Sequence, residues 1–93
     1  MHIRVKLFAQ LRDLVGRGDV VLDVEASGVD AAPHTTPSRV IVKDVWQTLT
    51  AAHPALAPFA SSVSCAVNAE YARMHAPVQA DDEVAFLPPV SGG

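Results

Sequence analysis

The amino-acid sequence predicts a single α+β domain in which a small mixed β-sheet carries one main helix on one face. Apolar and polar residues alternate over residues 3–9 and again over residues 83–87, as they do in strands with one buried face. Between these stretches lies an apolar stripe with helical spacing. With 93 residues the chain has room for one core only, so these strands and this helix must share it.

The first strand is predicted over residues 3–9, with Phe8 on the face opposite to the apolar set Ile3, Val5, Leu7 and Ala9. A short helix is expected over residues 10–15, and Gly16 follows it at the position where helices commonly end in a left-handed residue. A turn over residues 16–19 then leads to a second strand, whose inward positions are Val20, Leu22 and Val24.

Residues 26–38 are rich in Gly, Pro, Ser and Thr and show no periodicity, so they are predicted to form a long, mobile inserted loop. The main helix is indicated by apolar residues at helical spacing, namely Val42, Val45, Trp46, Leu49 and Ala52. No Ser, Thr, Asp or Asn stands beside its first residue, so an extended stretch over residues 39–42 is expected to lead into it. Pro54 and Pro58 close the helical region, with one further turn over residues 55–59.

Three further strands are predicted over residues 63–67, 71–74 and 83–87. Turns separate them at residues 68–70 and 81–82. Pro88 and Pro89 have no backbone N–H to donate to a sheet, so the last strand ends at Leu87. This order of elements fits the ubiquitin-like β-grasp fold, with the domain over residues 1–87 and an extended tail over residues 88–93.

Composition excludes several classes of function. Seven Lys and Arg against ten Asp and Glu give a formal charge of −3, and no basic stripe is available to neutralise a nucleic-acid backbone. Cys65 is the only cysteine, which excludes an intramolecular disulfide and a multi-cysteine metal site and indicates a reducing compartment. No apolar run approaches the ~18 residues of a membrane span, and the N-terminus alternates unlike a signal peptide, so a cytoplasmic protein is expected.

The strongest chemical signal is the end of the chain. Pro88 and Pro89 favour an extended path, so the residues after them are expected to project from the body. Six extended residues reach about 20 Å at ~3.3–3.6 Å each, far enough to enter a pocket in another protein. Gly92 and Gly93 lack Cβ, so a narrow tunnel can close around them and reacting groups can approach the terminal carboxylate. The alternative is an ordinary frayed terminus.

Three stretches resemble a known family: residues 7–16 (LFAQLRDLVG), Val67-Asn68 and residues 82–93 (DEVAFLPPVSGG). They are similar to the MoaD/ThiS sulfur-carrier family, and closest to its molybdopterin synthase small-subunit branch. The likeness fails across residues 26–38, where an insertion is expected. The Pro-Pro-Val-Ser-Gly-Gly ending is specific within the family, because thiamine-type carriers generally share only the Gly-Gly.

The resemblance implies a non-catalytic sulfur-carrier subunit of a sulfurtransferase complex. In such a carrier, Gly93 is adenylated by an ATP-using, ubiquitin-activating-like enzyme and converted to a thiocarboxylate, while Gly92 provides a slim approach. The sulfur is then donated to cyclic pyranopterin monophosphate inside the large subunit of molybdopterin synthase, in molybdenum cofactor biosynthesis. The adenylating enzyme and the large subunit are the implied partners. The chain itself is expected to bind no cofactor and no metal, since ATP is used by the activating partner.

A partner surface is expected beside the tail. Phe8 and Leu87 face away from the buried sets of their strands, and in a β-grasp sheet the first and last strands are parallel neighbours. Together with the tail residues they form the expected partner-binding set, Phe8, Leu87, Pro88, Pro89, Val90 and Ser91. The family often has an aromatic residue at position 87, so the leucine makes this patch smaller. The alternative is that both residues are scattered exposed apolar side chains or are covered.

Cys65 is a second candidate sulfur site, as a persulfide. It alternates with Val63 and Val67 on an inward face, which favours a buried core residue instead. Three other functions stay open from the sequence. They are a sulfur carrier for thiamine or cysteine synthesis, a ubiquitin-like protein modifier, and an inert β-grasp interaction module whose Gly-Gly is never activated.

Overall fold

The computed structural model describes residues 1–25 and 40–89 and confirms the predicted α+β class. Its elements follow the predicted order: β1 (His2–Leu7), α1 (Ala9–Val15), β2 (Asp19–Asp23), α2 (Val42–Ala52), a 3₁₀ helix (Pro54–Phe59), β3 (Ser64–Val67), β4 (Glu70–Ala72) and β5 (Glu83–Leu87). The loop predicted over residues 26–38 lies outside the described residues, as do tail residues 90–93.

The five strands form one mixed sheet in the order β2-β1-β5-β3-β4. β1 and β5 are parallel neighbours, with Leu7 opposite Phe86. All other neighbouring strands are antiparallel. Because β5 lies between β1 and β3, the C-terminal tail leaves the domain from the middle of the sheet.

The core lies between the sheet and α2, as the apolar stripe predicts. Trp46 of α2 packs against Phe86 of β5 with ring centroids 4.9 Å apart, and Phe86 is fully buried. The other largest buried side chains are Ile3, Val5, Leu11, Val24, Val42, Val45, Leu49, Leu56 and Val84. In the described part of the chain, no helix is both long and apolar enough to span a membrane.

The first strand is shorter than predicted. β1 ends at Leu7, and Phe8 is the extended N-cap residue of α1. Ala9 was expected on the inward face of the strand, but it begins α1 with a left-handed φ of 48° and is exposed. This φ turns the chain off the sheet, so the alternating pattern breaks there. Gly16 ends α1 with φ 86°, as predicted.

The N-terminus of α2 is capped by a side chain from within the helix and not by its N-cap residue, Ile41. The Asp44 carboxylate, three positions into the helix, accepts a hydrogen bond from the Ile41 N–H at 2.9 Å. Ile41 is extended and bridges to Pro77, so the expected lead-in is present at that residue. At the other end, Ala52 was predicted to be buried but is exposed, because α2 ends at this residue and the chain turns into the 3₁₀ helix.

Candidate functional site

The candidate site is the edge of the sheet from which the tail departs. Here β1 and β5 end while β2 and β3 begin. Leu87 is level with Ser64, Leu7 with Phe86, and Asp19 with Lys6, so these strand ends lie within two residues of one another along the strand direction. We call this edge the exit end. The opposite edge, where the pairs are His2 with Asp23 and Val67 with Val84, is the far end.

The root of the tail is anchored in the core. Phe86 pairs with Leu7 on one side and with Cys65 on the other, and its ring lies against Trp46. The next two residues, Leu87 and Pro88, are half-buried, and Pro89 is exposed. The chain therefore passes from the core to the surface within four residues. Val90, Ser91, Gly92 and Gly93 lie outside the described residues, so their predicted extension stays a prediction.

Phe8 lies beside this exit, although it is not part of β1. It is one residue beyond the Leu7–Phe86 pair and its backbone is extended, with φ −125° and ψ 154°. The parallel register therefore places it level with Leu87, about one strand spacing of ~4.8 Å away. Phe8 is 45% exposed, and Leu87 is only half-buried. The exit end thus presents an apolar pair, while its role in partner binding stays a prediction.

One exposed aromatic residue on this side of the sheet was missed by the sequence analysis. Tyr71 of β4 is 83% exposed. It pairs with Ala66, and Ala66 pairs with Ala85 of β5, two residues before Leu87. Since alternate residues of a strand share a face, Tyr71 and Leu87 lie on the same outer sheet face. A three-residue edge strand has too little alternation to reveal this face in advance.

Cys65 fills the core, as its pattern favours. The residue is buried, and its thiol donates a hydrogen bond to the Ala72 carbonyl oxygen at 3.0 Å. Burial raises the pKa of the thiol and so disfavours the reactive thiolate. This environment gives no support to a persulfide at Cys65.

The described residues show no metal centre, since no three His, Cys, Asp or Glu side chains converge within residues 1–25 and 40–89. The far end holds the densest polar network. There the Asn68 amide donates to Asp82 Oδ1 at 3.1 Å and its oxygen accepts from the Glu83 N–H at 3.0 Å. These bonds fix the turn after β3 against the start of β5. Their role is structural, because the tail leaves from the opposite edge.

Comparison with known proteins finds relatives that match most or all of the chain in sequence. The molybdopterin synthase sulfur carrier subunit of Arabidopsis thaliana is 34% identical over 93 residues, covering 100% of this chain and 84% of that protein. The human protein of the same name is 31% identical over 72 residues, covering 74% of this chain and 82% of its own.

A solved structure supports the fold. SAMP1 of Haloferax volcanii, a small archaeal modifier protein, has a TM-score of 0.77 at 30% identity, with 100% of both chains covered. This likeness confirms the predicted ubiquitin-like β-grasp fold. The family model described as ThiS family matches residues 5–93, which includes the Gly-Gly end. The chain therefore belongs to the ThiS family.

Proposed function

We propose that this chain is the sulfur-carrier subunit of molybdopterin synthase and that Gly93 carries the sulfur. One observation carries the proposal: a Gly-Gly tail leaves a buried central strand in a chain whose plant relative of that name matches it from end to end. Phe86 is fully buried at the root of the tail and Pro89, three residues later, is exposed, so the tail starts from a fixed point in the core.

The proposed chemistry activates a poor electrophile in two steps. An oxygen of the Gly93 carboxylate attacks the α-phosphorus of ATP and pyrophosphate leaves, which gives an acyl adenylate. A sulfide-level donor then attacks the acyl carbon and AMP leaves, so a thiocarboxylate remains. Its sulfur attacks a carbon of cyclic pyranopterin monophosphate and displaces the oxygen substituent of that carbon, so a C–S bond replaces a C–O bond. Water then cleaves the resulting thioester. The sulfur stays on the pterin and the Gly93 carboxylate is regenerated.

In this proposal the two partners, the adenylating enzyme and the large synthase subunit, supply the catalytic acids and bases and the ATP site for these reaction steps. The chain acts as a substrate of the first and as a sulfur donor to the second, and is not itself the catalyst. A cytoplasmic location is consistent with the single buried Cys65.

Intact-mass spectrometry tests the proposal. The purified chain is incubated with the adenylating enzyme, ATP and a sulfide donor, and its mass is expected to rise by the difference between sulfur and oxygen. A reaction without ATP is the control and should leave the mass unchanged. As a positive control, the same enzyme preparation must load a carrier that it is known to modify. If it does so and the mass of this chain stays unchanged in the complete reaction, the assignment of Gly93 is contradicted.

Replacing Phe8 by alanine is expected to weaken docking to the large subunit. A partly exposed aromatic side chain beside the tail is typical of an interface anchor, and its truncation costs roughly 1–3 kcal/mol of binding free energy. Isothermal titration calorimetry measures this loss. Thermal unfolding should change little, because Phe8 lies outside the buried core.

Val21→Ala is the matched control for Phe8. Val21 is an exposed apolar residue on β2, so its truncation should affect neither binding nor stability. The docking role of Phe8 is wrong if Phe8→Ala lowers the unfolding temperature while the affinity of the folded protein stays the same.

A second candidate function is protein modification. SAMP1 of Haloferax volcanii is a small archaeal modifier protein, and an acyl adenylate of Gly93 could acylate a lysine amine instead of accepting sulfur. Mass spectrometry of proteins from the native cell distinguishes the two. Isopeptide bonds between Gly93 and lysines of other proteins favour a modifier, whereas a thiocarboxylate with no conjugates favours a dedicated carrier.

A further inference from the structure

Outside α2, which carries Lys43 and Asp44, the charged side chains of the described domain are unevenly distributed along the strand direction. The far end carries six carboxylates, those of Asp23, Glu25, Glu70, Asp81, Asp82 and Glu83. The exit end carries four cations and two carboxylates, namely Lys6, Arg12, Arg17 and Arg73 with Asp13 and Asp19. A chain with a formal charge of −3 therefore presents a locally basic edge where its tail departs.

The far-end cations are used inside the domain. The Arg4 guanidinium donates to the Asp81 carbonyl oxygen from Nε at 3.3 Å and from Nη2 at 3.2 Å. The N-terminal ammonium donates to Asp23 Oδ1 at 3.1 Å, and this bond lowers the pKa of that carboxyl group. Both cations therefore bind residues of the far end itself, Asp81 and Asp23.

The exit-end arginines have no such internal role in the described structure. No carboxylate among residues 1–25 and 40–89 lies within 4.0 Å of the Arg12, Arg17 or Arg73 guanidinium, and all three residues are exposed. Lys6 is only loosely paired, at 3.8 Å from Asp19 and 4.0 Å from Glu83.

Two of these arginines lie on opposite sides of the end of β5. The Arg12 stem lies on Gly18, where an added Cβ would stand 3.2 Å from Arg12 Cδ, and the Gly18 carbonyl oxygen accepts from the Leu7 N–H. Arg73 follows β4 directly, level with Ser64 and hence with Leu87. Arg73 and Gly18, the residue that the Arg12 stem contacts, are therefore each about two strand spacings, or ~10 Å, from the end of β5.

A partner that binds the tail must also contact the surface around the end of β5. Half of a standard protein interface is about 800 Å², the area of a disc with a radius of about 16 Å. A disc centred on Leu87 includes Arg73 and the Gly18 position where the Arg12 stem lies, both at ~10 Å. The two carboxylates at the exit end offset two of its four cations. The remaining positive charge is smaller than that of the clusters of about four to eight basic residues that bind an anionic membrane, or of a surface that neutralises many nucleic-acid phosphates. A protein surface with carboxylates fits better.

We propose that the exit-end arginines, Arg12 and Arg73 foremost, bind carboxylates that border the tail entrance of the adenylating enzyme. The inference deepens the proposed function and rests on it. Opposite charges at the two edges orient the carrier as it approaches, so that the tail leads and the acidic far end points away. Arginine suits this role because its planar fork binds a carboxylate through two parallel hydrogen bonds.

Steady-state adenylation kinetics test the inference, with pyrophosphate release as the readout. For Arg12→Gln/Arg73→Gln we expect the KM for the carrier to rise about three- to tenfold with kcat unchanged, since charge pairs at an interface act mainly on encounter. The matched control is Gln79→Glu/Ala80→Glu, which changes the net charge by the same amount beside the far-end acids. The KM of this control should stay within about twofold of wild type, because the added charges lie more than a Debye length of ~10 Å from the exit end.

Salt provides the second readout. The difference between the two double variants should shrink at about 0.5 M salt, where the Debye length falls below about 5 Å. Equal KM values for the two double variants, both folded by circular dichroism, would overturn the role of the arginines while the adenylation of wild type still supports the proposed function. If wild type is not adenylated at all, the proposed function fails and this inference fails with it.

Discussion

Deleting Gly93 is expected to abolish sulfur transfer while leaving the domain folded. The deletion moves the terminal carboxylate back by about 3.5 Å along the chain. A misplacement of about 1 Å already costs ~10²-fold in a positioned reaction, so product formation should fall by more than that. The assay combines the adenylating enzyme, a sulfide donor and the large subunit. Adding one residue after Gly93 should have the same effect, because it buries the reactive carbonyl within the chain.

Cys65→Ala is the matched control for the Gly93 deletion. The thiol lies in the core and donates to the Ala72 carbonyl oxygen, so its loss should reduce stability modestly and leave sulfur loading intact. Full activity of the Gly93 deletion would contradict the thiocarboxylate. Loss of sulfur loading in a folded Cys65→Ala protein would instead indicate a persulfide carrier.

Much of the fold could be predicted because the sequence alternates or repeats with the correct period. Strand β5 is found over the predicted residues, and the stripe of α2 is buried at Val42, Val45, Trp46 and Leu49. The missed details depend on single backbone angles. The left-handed φ of Ala9 ends the first strand early, and it could not be predicted because alanine has no preference for this conformation. The cap of α2 was missed because its carboxylate comes from Asp44, inside the helix.

The candidate site divides in the same way. The chemistry of the tail could be predicted from the sequence, because the two prolines restrict the backbone and the two glycines leave it free and without Cβ atoms. The surface around it is not, since it depends on which strands are neighbours. Tyr71 joins the face of Leu87 only through the pairs of β4 with β3 and of β3 with β5. The basic exit end likewise emerges only when the pairing of β3 with β4 and β5 places Arg73 on one side of β5 and the contact with Gly18 places Arg12 on the other.

Replacing Phe86 by alanine is expected to destabilise the domain by about 3–5 kcal/mol, the usual cost of removing a buried aromatic ring. The ring is fully buried, pairs with Leu7 and Cys65 across two strands, and packs on Trp46 at 4.9 Å. The free energy of unfolding of a native protein is only about 5–15 kcal/mol, so a large share of the stability would be lost.

Chemical denaturation measures this loss, and a domain of this size should also unfold at least about 10 °C lower. Tyr71→Ala, which removes an exposed aromatic side chain from β4, is the control and should stay within about 0.5 kcal/mol of wild type. Phe86→Leu keeps most of the volume and should recover much of the stability. Because Phe86 immediately precedes Leu87, the alanine variant also loosens the root of the tail. Sulfur transfer should therefore fall in Phe86→Ala even at a temperature where the protein remains folded, and unchanged stability and transfer would show that the tail does not depend on this anchor.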